Sequence, residues 1–306
     1  MRIGTSLAEP AGPEALSKLA DQISAAADDG FASAWISNIF GLEALTSLAV
    51  AGSKVPGIEL GTAVVPTYPR HPAVLAQQAL TADLALGGRL ALGIGLSHQI
   101  VIQDMYGYSF DKPARHMREY LAVLLPLLAG ENVSFDGESL HAHIGLSVPR
   151  SRPNLPVLLA ALAPQMLKLA GTKADGTILW MTGPKTVHDY IVPTVTAAAS
   201  EAGRPSPRVV CVLPVCVTDD PAQARADADQ VFTIYGVLPS YRAMLDREGA
   251  AGPGDVAIVG DEDSVGEQIR ALAEAGVTDF VALEYARSDD APRTRAVLCR
   301  LISDLG

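Results

Sequence analysis

Cysteine is scarce in this chain of 306 residues: Cys211, Cys216 and Cys299 are the only three. An odd count, with C-x4-C spacing and no histidine close by, fits a reducing compartment better than a disulfide framework or a zinc site. The thiols read as small core hydrophobes. Positive charge is also short. Lys and Arg number 23 against 34 Asp and Glu, for a net charge of −11. That leaves no basic surface for nucleic acid, although a few local cations suffice for an anionic ligand. No run reaches the roughly 18 apolar residues of a membrane span. The opening MRIGTSLAEP lacks the apolar core of a signal peptide, so the chain is expected to be cytoplasmic and off the membrane. Linkers, composition shifts and low-complexity segments are missing too, which predicts one domain over residues 1–306.

What is present is a rhythm. Hydrophobic residues make up 49% and charged residues 19%, enough for a deep core without staples. Short β-type runs alternate with Ala/Leu-rich helical runs. Strands are predicted at 2–7, 33–37, 58–66, 89–95, 155–161, 176–181, 207–218 and 278–285, each followed by helix. The short run AIVG (257–260) reads as an extra strand or part of a loop. Repeated βα units of this length predict an α/β fold, a (β/α)8 TIM barrel with insertions at its C-terminal face; a doubly wound open sheet is the alternative. The main insertion is expected at about 96–155. It holds a helix near 113–129 and a hairpin turning at Asp136-Gly137.

A barrel gathers its ligands at the C-terminal ends of its strands. The residues expected there are mostly apolar. They include no carboxylate cluster, no metal-binding His pair and no G-x-S-x-G elbow, so nucleophilic or metal hydrolysis has little support. An apolar slot with a few polar handles suits a large planar cofactor. Strand four reads RLALGIGLSH (89–98). Gly93 and Gly95 suit either a crowded rim or backbone laid against a ligand, and His98 stands just beyond the strand. Thr182-Gly183-Pro184-Lys185 offers amides, a hydroxyl and an ammonium to a phosphate; the alternative is a helix capped by Thr182 and followed by a solvated lysine.

These segments resemble the luciferase-like flavin and deazaflavin oxidoreductases. LGTAVVPTYPRHPAVLAQQALT (60–81) and GGRLALGIGLSHQ (87–99) carry the resemblance most specifically. GFASAWISNIFG before them and LAALAPQMLKLAGTKADGTILWMTGP after them extend it over most of the chain. It is similar above all to the actinobacterial branch that uses coenzyme F420, a 5-deazaflavin. The resemblance implies a barrel, usually a homodimer, acting on a small-molecule substrate. It implies a bulge with a non-proline cis peptide at Ala63-Val64, with Val65 beside it, supporting the ring. It places Gly95, Leu96 and Ser97 beside the cofactor. It assigns the phosphate to Leu162 and Ala163 with Thr182, Gly183, Pro184 and Lys185. Related sugar-phosphate and alcohol dehydrogenases carry an Asp-His pair after strand two, where this chain has Asn38-Ile39. Without that base, a reductase passing hydride to an activated double bond, imine or carbonyl is favoured. Asn38 is then expected to hydrogen-bond ring or substrate, and His98 to donate a proton. The alternatives are a reduced-FMN monooxygenase and a non-catalytic flavin-binding protein.

Overall fold

The computed structural model describes residues 1–285 and 290–305. Among these residues the main sheet has ten strands, eight of which form the barrel. The eight are β1 (Arg2–Ser6), β2 (Ser33–Ile36), β3 (Glu59–Thr62), β4 (Leu90–Gly95), β5 (Val157–Ala160), β6 (Gly176–Trp180), β7 (Arg208–Val217) and β8 (Asp279–Glu284). Each strand neighbours the next in sequence, β8 neighbours β1, and β6 pairs with β7, so the sheet closes on itself. Helices lie between the strands. This is a closed (β/α)8 barrel, not the open doubly wound sheet. AIVG proves to be an extra strand, Ile258–Gly260, laid parallel on the end of β7. Among the described residues, no helix is long and apolar enough to cross a membrane.

The chain divides into two compact units: Met1–Leu7, Ala25–Trp35 and Ala161–Gly306 form the first, Ala8–Ser24 and Ile36–Ala160 the second. The first is tied at the beginnings of its strands by an ion cluster. Asp279, 2% exposed, receives Arg208 at 2.7 Å and Arg2 at 3.3 Å. A buried carboxylate with two guanidiniums survives only because both charges are matched. Trp35, fully buried, donates its indole N–H to the Ser33 hydroxyl at 2.8 Å. The helical run after β6 consists of Pro184–Thr186, a π-helical turn at Val187–Ile191 and Val192–Glu201.

The second unit contains the most informative irregularity. β3 pairs with β4 at Leu60↔Leu90 and Gly61↔Ala91. The pairing resumes after a break at Val65↔Ile94 and Pro66↔Gly95. One side therefore holds three residues where the other holds two, which is a bulge. The Thr62 side chain repairs the ladder. Its hydroxyl accepts from Gly93 N–H at 2.9 Å and donates to Gly93 C=O at 2.8 Å. Gly93 must lack a side chain, because a Cβ there would collide with the Thr62 carbonyl. A Cβ at Gly95 would lie 2.7 Å from Val64 and 3.1 Å from Ala160. The two glycines are thus required by the crowding of the rim itself.

The hairpin of the insertion also forms, Val133–Asp136 against His141–Ile144. Its reversal is centred on Glu138-Ser139 and not on Asp136-Gly137, since Gly137 N–H donates to Leu140 C=O at 2.8 Å. The cause is Glu119. Its buried carboxylate accepts from Glu138 N–H, Ser139 N–H and the Ser139 hydroxyl at 3.1, 3.0 and 2.7 Å. That outweighs the local preference of Asp-Gly.

Gly93→Ala should cost about 3 kcal/mol or more of stability, because the colliding atom is backbone and cannot rotate away. Gly57→Ala meets nothing within 4 Å and bears only the penalty of its φ of +88°, about 1 kcal/mol. Urea denaturation of the two variants checks the difference; equal losses would contradict the bulge repair described above.

Candidate cofactor and active site

In the second unit the rim is built on that bulge. The Ala63–Val64 peptide is cis. Ala63 N–H donates to Ile36 C=O at 2.8 Å, and Thr67 N–H to Gly95 C=O at 2.9 Å. Both sides of the bulge are therefore anchored, and Ala63 and Val64 stay half-buried beside Val65, which is fully buried. Beyond Gly95 the chain must leave the strand sharply. Ser97 does this with φ +61°, a conformation that costs a non-glycine residue about 1–3 kcal/mol and clusters at functional sites. Leu96, Ser97 and His98 are half-buried. A π-helical turn, Ile100–Met105, follows them, and His98 C=O accepts from Val101 and Ile102 N–H. Burial lowers the His98 pKa below 6.5, so its imidazole is largely neutral at pH 7.

Asn38 has a local task. Its Oδ1 accepts from Ala44 N–H at 3.1 Å. Glu43 accepts from the next two amides, Leu45 and Thr46, at 3.2 and 2.8 Å. Together they cap the helix Ala44–Gly52. Arg70 and Gln78 hold the Glu43 carboxylate at 3.1 and 2.9 Å. Among the described residues nothing accepts from Asn38 Nδ2.

A second feature of this rim carries no sequence signature. The buried Thr67 hydroxyl meets His116 Nε2 at 3.0 Å. The Tyr68 ring stacks on that imidazole with centroids 3.9 Å apart and planes 4° apart. Burial pushes the Tyr68 phenol up to about 12 and brings His116 down to about 4, against a smaller opposing pull from Glu119. His116 comes from the insertion helix Pro113–Leu128, so no local spacing announces its contact with Thr67.

In the first unit the phosphate-side candidates separate into two kinds. After β5, Leu162 C=O accepts from the Tyr190 hydroxyl at 3.0 Å, and Arg247 lies 4.1 Å from the Tyr190 ring centroid. Ala163 caps the helix Pro164–Lys173 through its backbone alone, without a side-chain cap. Ala163, Pro164 and Gln165 are exposed. That first turn is open to an anion.

After β6 the arrangement differs. Met181 takes φ +52°, and Thr182 is fully buried with its hydroxyl donating to Trp180 C=O at 3.2 Å. The helix cap is Gly183, not Thr182. The Glu248 carboxylate accepts from Lys185 N–H at 3.1 Å and Thr186 N–H at 2.7 Å. A Cβ at Gly183 would strike this carboxylate. The start of this helix thus already holds an anion that the chain itself supplies, beside Gly183, while Pro184 and Lys185 are exposed. Glu248 stands 62 residues from Thr186 in sequence, which is why no motif reveals it.

The model of the luciferase-like monooxygenase family matches residues 1–279. A 5,10-methylenetetrahydromethanopterin reductase of Methanolobus tindarius is 28% identical over 296 residues, covering 87% of this chain and 89% of that protein. A putative coenzyme F420-dependent oxidoreductase of Mycobacterium tuberculosis is 27% identical over 309 residues, covering 86% and 89%. Among solved structures, the coenzyme F420-dependent tetrahydromethanopterin reductase of Methanopyrus kandleri superposes with a TM-score of 0.83 at 24% identity, covering 99% of this chain and 98% of that one.

His116 makes acid stability testable. Its folded pKa of about 4 lies below the ordinary 6.5. The unfolded chain therefore binds its proton first, and stability falls as pH drops from 6.5 toward 4. For a half-exposed ring this amounts to roughly 1–2 kcal/mol. His116→Gln should flatten the dependence in that window when denaturation is followed at pH 7, 5.5 and 4.5; an unchanged slope would remove His116 as its source.

Proposed function

The chain belongs to the luciferase-like monooxygenase family, and within it we propose a coenzyme F420-dependent oxidoreductase that works as a reductase on a small organic substrate. The observation that carries the direction is Asn38. It stands where related alcohol dehydrogenases keep a base pair, it has no basic group, and its carbonyl oxygen is committed to Ala44 N–H. An alcohol has nothing there to take its proton. The names of the two sequence relatives, a reductase and an F420-dependent oxidoreductase, support the same reading.

When bound, the reduced deazaflavin supplies a hydride equivalent. The chain supplies the rest. Ala63, Val64 and Val65 back the ring, and Gly95, Leu96 and Ser97 border it. Leu162, Ala163 and the open first turn of Pro164–Lys173 receive the phosphate. Thr182, Gly183 and Pro184 are left with a secondary share because Glu248 already holds the neighbouring amides; Lys185 contributes its ammonium. Asn38 Nδ2 hydrogen-bonds ring or substrate. His98 donates the proton that completes reduction. Because its pKa is lowered, only a minor fraction is imidazolium at pH 7, and donation strengthens as pH falls toward that pKa.

His98→Ala should slow single-turnover reduction by about 10²–10⁴-fold while leaving cofactor affinity nearly unchanged. In the wild type the rate should decline as pH rises through a value below 6.5. Stopped-flow absorbance of the deazaflavin under anaerobic conditions reads both. Normal turnover in cofactor-saturated His98→Ala would transfer the proton-donor role elsewhere.

A further inference from the structure

Two neighbouring residues at one helix end carry opposite charges to two turns of the first unit's rim. The helix is Pro239–Glu248, closed by Gly249 at φ +84°. Glu248 serves the turn after β6, where its carboxylate takes the Lys185 and Thr186 amides. Arg247 serves the turn after β5. Its guanidinium carbon lies 4.1 Å from the centroid of the Tyr190 ring, and the Tyr190 hydroxyl donates to Leu162 C=O at 3.0 Å. One phenol thus links a cation to that turn. Tyr190 is itself well held. It stands in the π-helical turn Val187–Ile191, a form concentrated at functional sites. The Thr194 hydroxyl takes Tyr190 C=O at 2.6 Å.

Arg247 is also unspent. Most arginines here end on a carboxylate or a carbonyl, as Arg208 does on Asp279, Arg242 on Asp246 and Arg225 on Gly254 C=O. Among the described residues none of these groups takes Arg247, although the chain carries a net charge of −11. A contact through the flat face of a guanidinium fixes its place and leaves the N–H fork at its edge available. The turn it serves is open as well. Ala163, Pro164, Gln165 and Arg247 itself are exposed, so water and ligands reach all four. Ala163 gives the helix Pro164–Lys173 no side-chain cap. Pro164 has no N–H, so the first amides without a helical partner are those of Gln165 and Met166.

We propose that Arg247 is a phosphate-binding residue, its guanidinium supplying the charge that holds the cofactor's phosphate at the first turn of Pro164–Lys173. This rests on the reading that a phosphate-bearing cofactor binds after β5; it adds the side chain that neutralises it. A guanidinium offers paired donors to two phosphate oxygens, and helix amides offer a further direction of donation. The tyrosine stack keeps the long side chain from losing all its freedom on binding, so less affinity is given up to ordering. Lys185 has a weaker claim, because the amide of its own residue is already committed to the Glu248 carboxylate.

The test measures binding and not turnover. Fluorescence titration of the full chain compares F420 with the same deazaflavin lacking its phosphate tail, and FMN with riboflavin. Wild type should prefer the phosphate-bearing member of a pair by about tenfold or more. Arg247→Gln should cut that preference by about fivefold and leave affinity for the phosphate-free member within about twofold. An Arg247 that only braces Tyr190 would weaken both members alike; an unchanged preference therefore overturns the proposal. So does a wild type that binds none of the four or shows no phosphate preference. The two readings fail separately. FMN bound without F420, with a preference that Arg247→Gln reduces, refutes the F420 reading and upholds Arg247. F420 bound with a preference that survives the substitution does the reverse. Should Arg247→Gln not fold, Arg247→Lys carries the test. It keeps the charge and loses the planar fork, so the preference should fall about two- to threefold, and an unchanged preference overturns the proposal.

Discussion

The exchange of hydrogen bonds between the Thr62 hydroxyl and the Gly93 backbone, 2.9 and 2.8 Å, is the interaction on which the second unit's rim depends. Where β3 gains a residue the backbone ladder must break, and two buried polar groups of Gly93 would otherwise be unpaired. A hydroxyl one bond from Cβ acts as donor and acceptor at once within reach of the neighbouring strand. Once it does so, the cis Ala63–Val64 segment stands out from the ladder, and pairing resumes at Val65 and Pro66. Thr67 then fastens the far side to Gly95 through its backbone and to His116 through its hydroxyl. The position of Ser97 and His98 follows from that chain of contacts.

The first unit solves a comparable problem in a different way. β6 also leaves its sheet through a non-glycine residue in the left-handed region, Met181, and the amides beyond it are satisfied by a distant carboxylate, Glu248. The turn after β5 has no such internal anion. Two helix starts that look alike in sequence, each with proline near its beginning, therefore differ in electrostatics. One is neutralised by the chain, and the other remains able to attract a phosphate.

Much of this was legible beforehand because it rests on periodicity and local chemistry. Eight β-type runs with helices between them predict the barrel, and the strand boundaries agree within a few residues because glycine and proline punctuate them. The TAVVP segment marked the bulge through family resemblance. What could not be read are contacts across long stretches of chain. Glu119 moved the hairpin reversal to Glu138-Ser139 from 19 residues away. Thr62 explains Gly93 across 31 residues, and Glu248 fills the Thr182–Lys185 loop from further still. The ring contacts of Trp180 with Phe232 and Tyr235, and of Phe232 with Tyr285, could not be read either: Phe232 and Tyr235 share one turn, but Trp180 and Tyr285 come from strand ends far away in sequence. Asn38 shows a third case. Its departure from the dehydrogenase pattern was visible, while its capping of Ala44 was not.

The proposed use of a deazaflavin is tested most directly by comparative cofactor binding. Purified protein titrated with coenzyme F420 and, separately, with FMN, each followed by the cofactor's own fluorescence, should bind F420 more tightly. Anaerobic addition of reduced F420 should then support substrate reduction. Strong binding of FMN with none of F420 would contradict the claim and move the chain to the oxygen-activating side of its family.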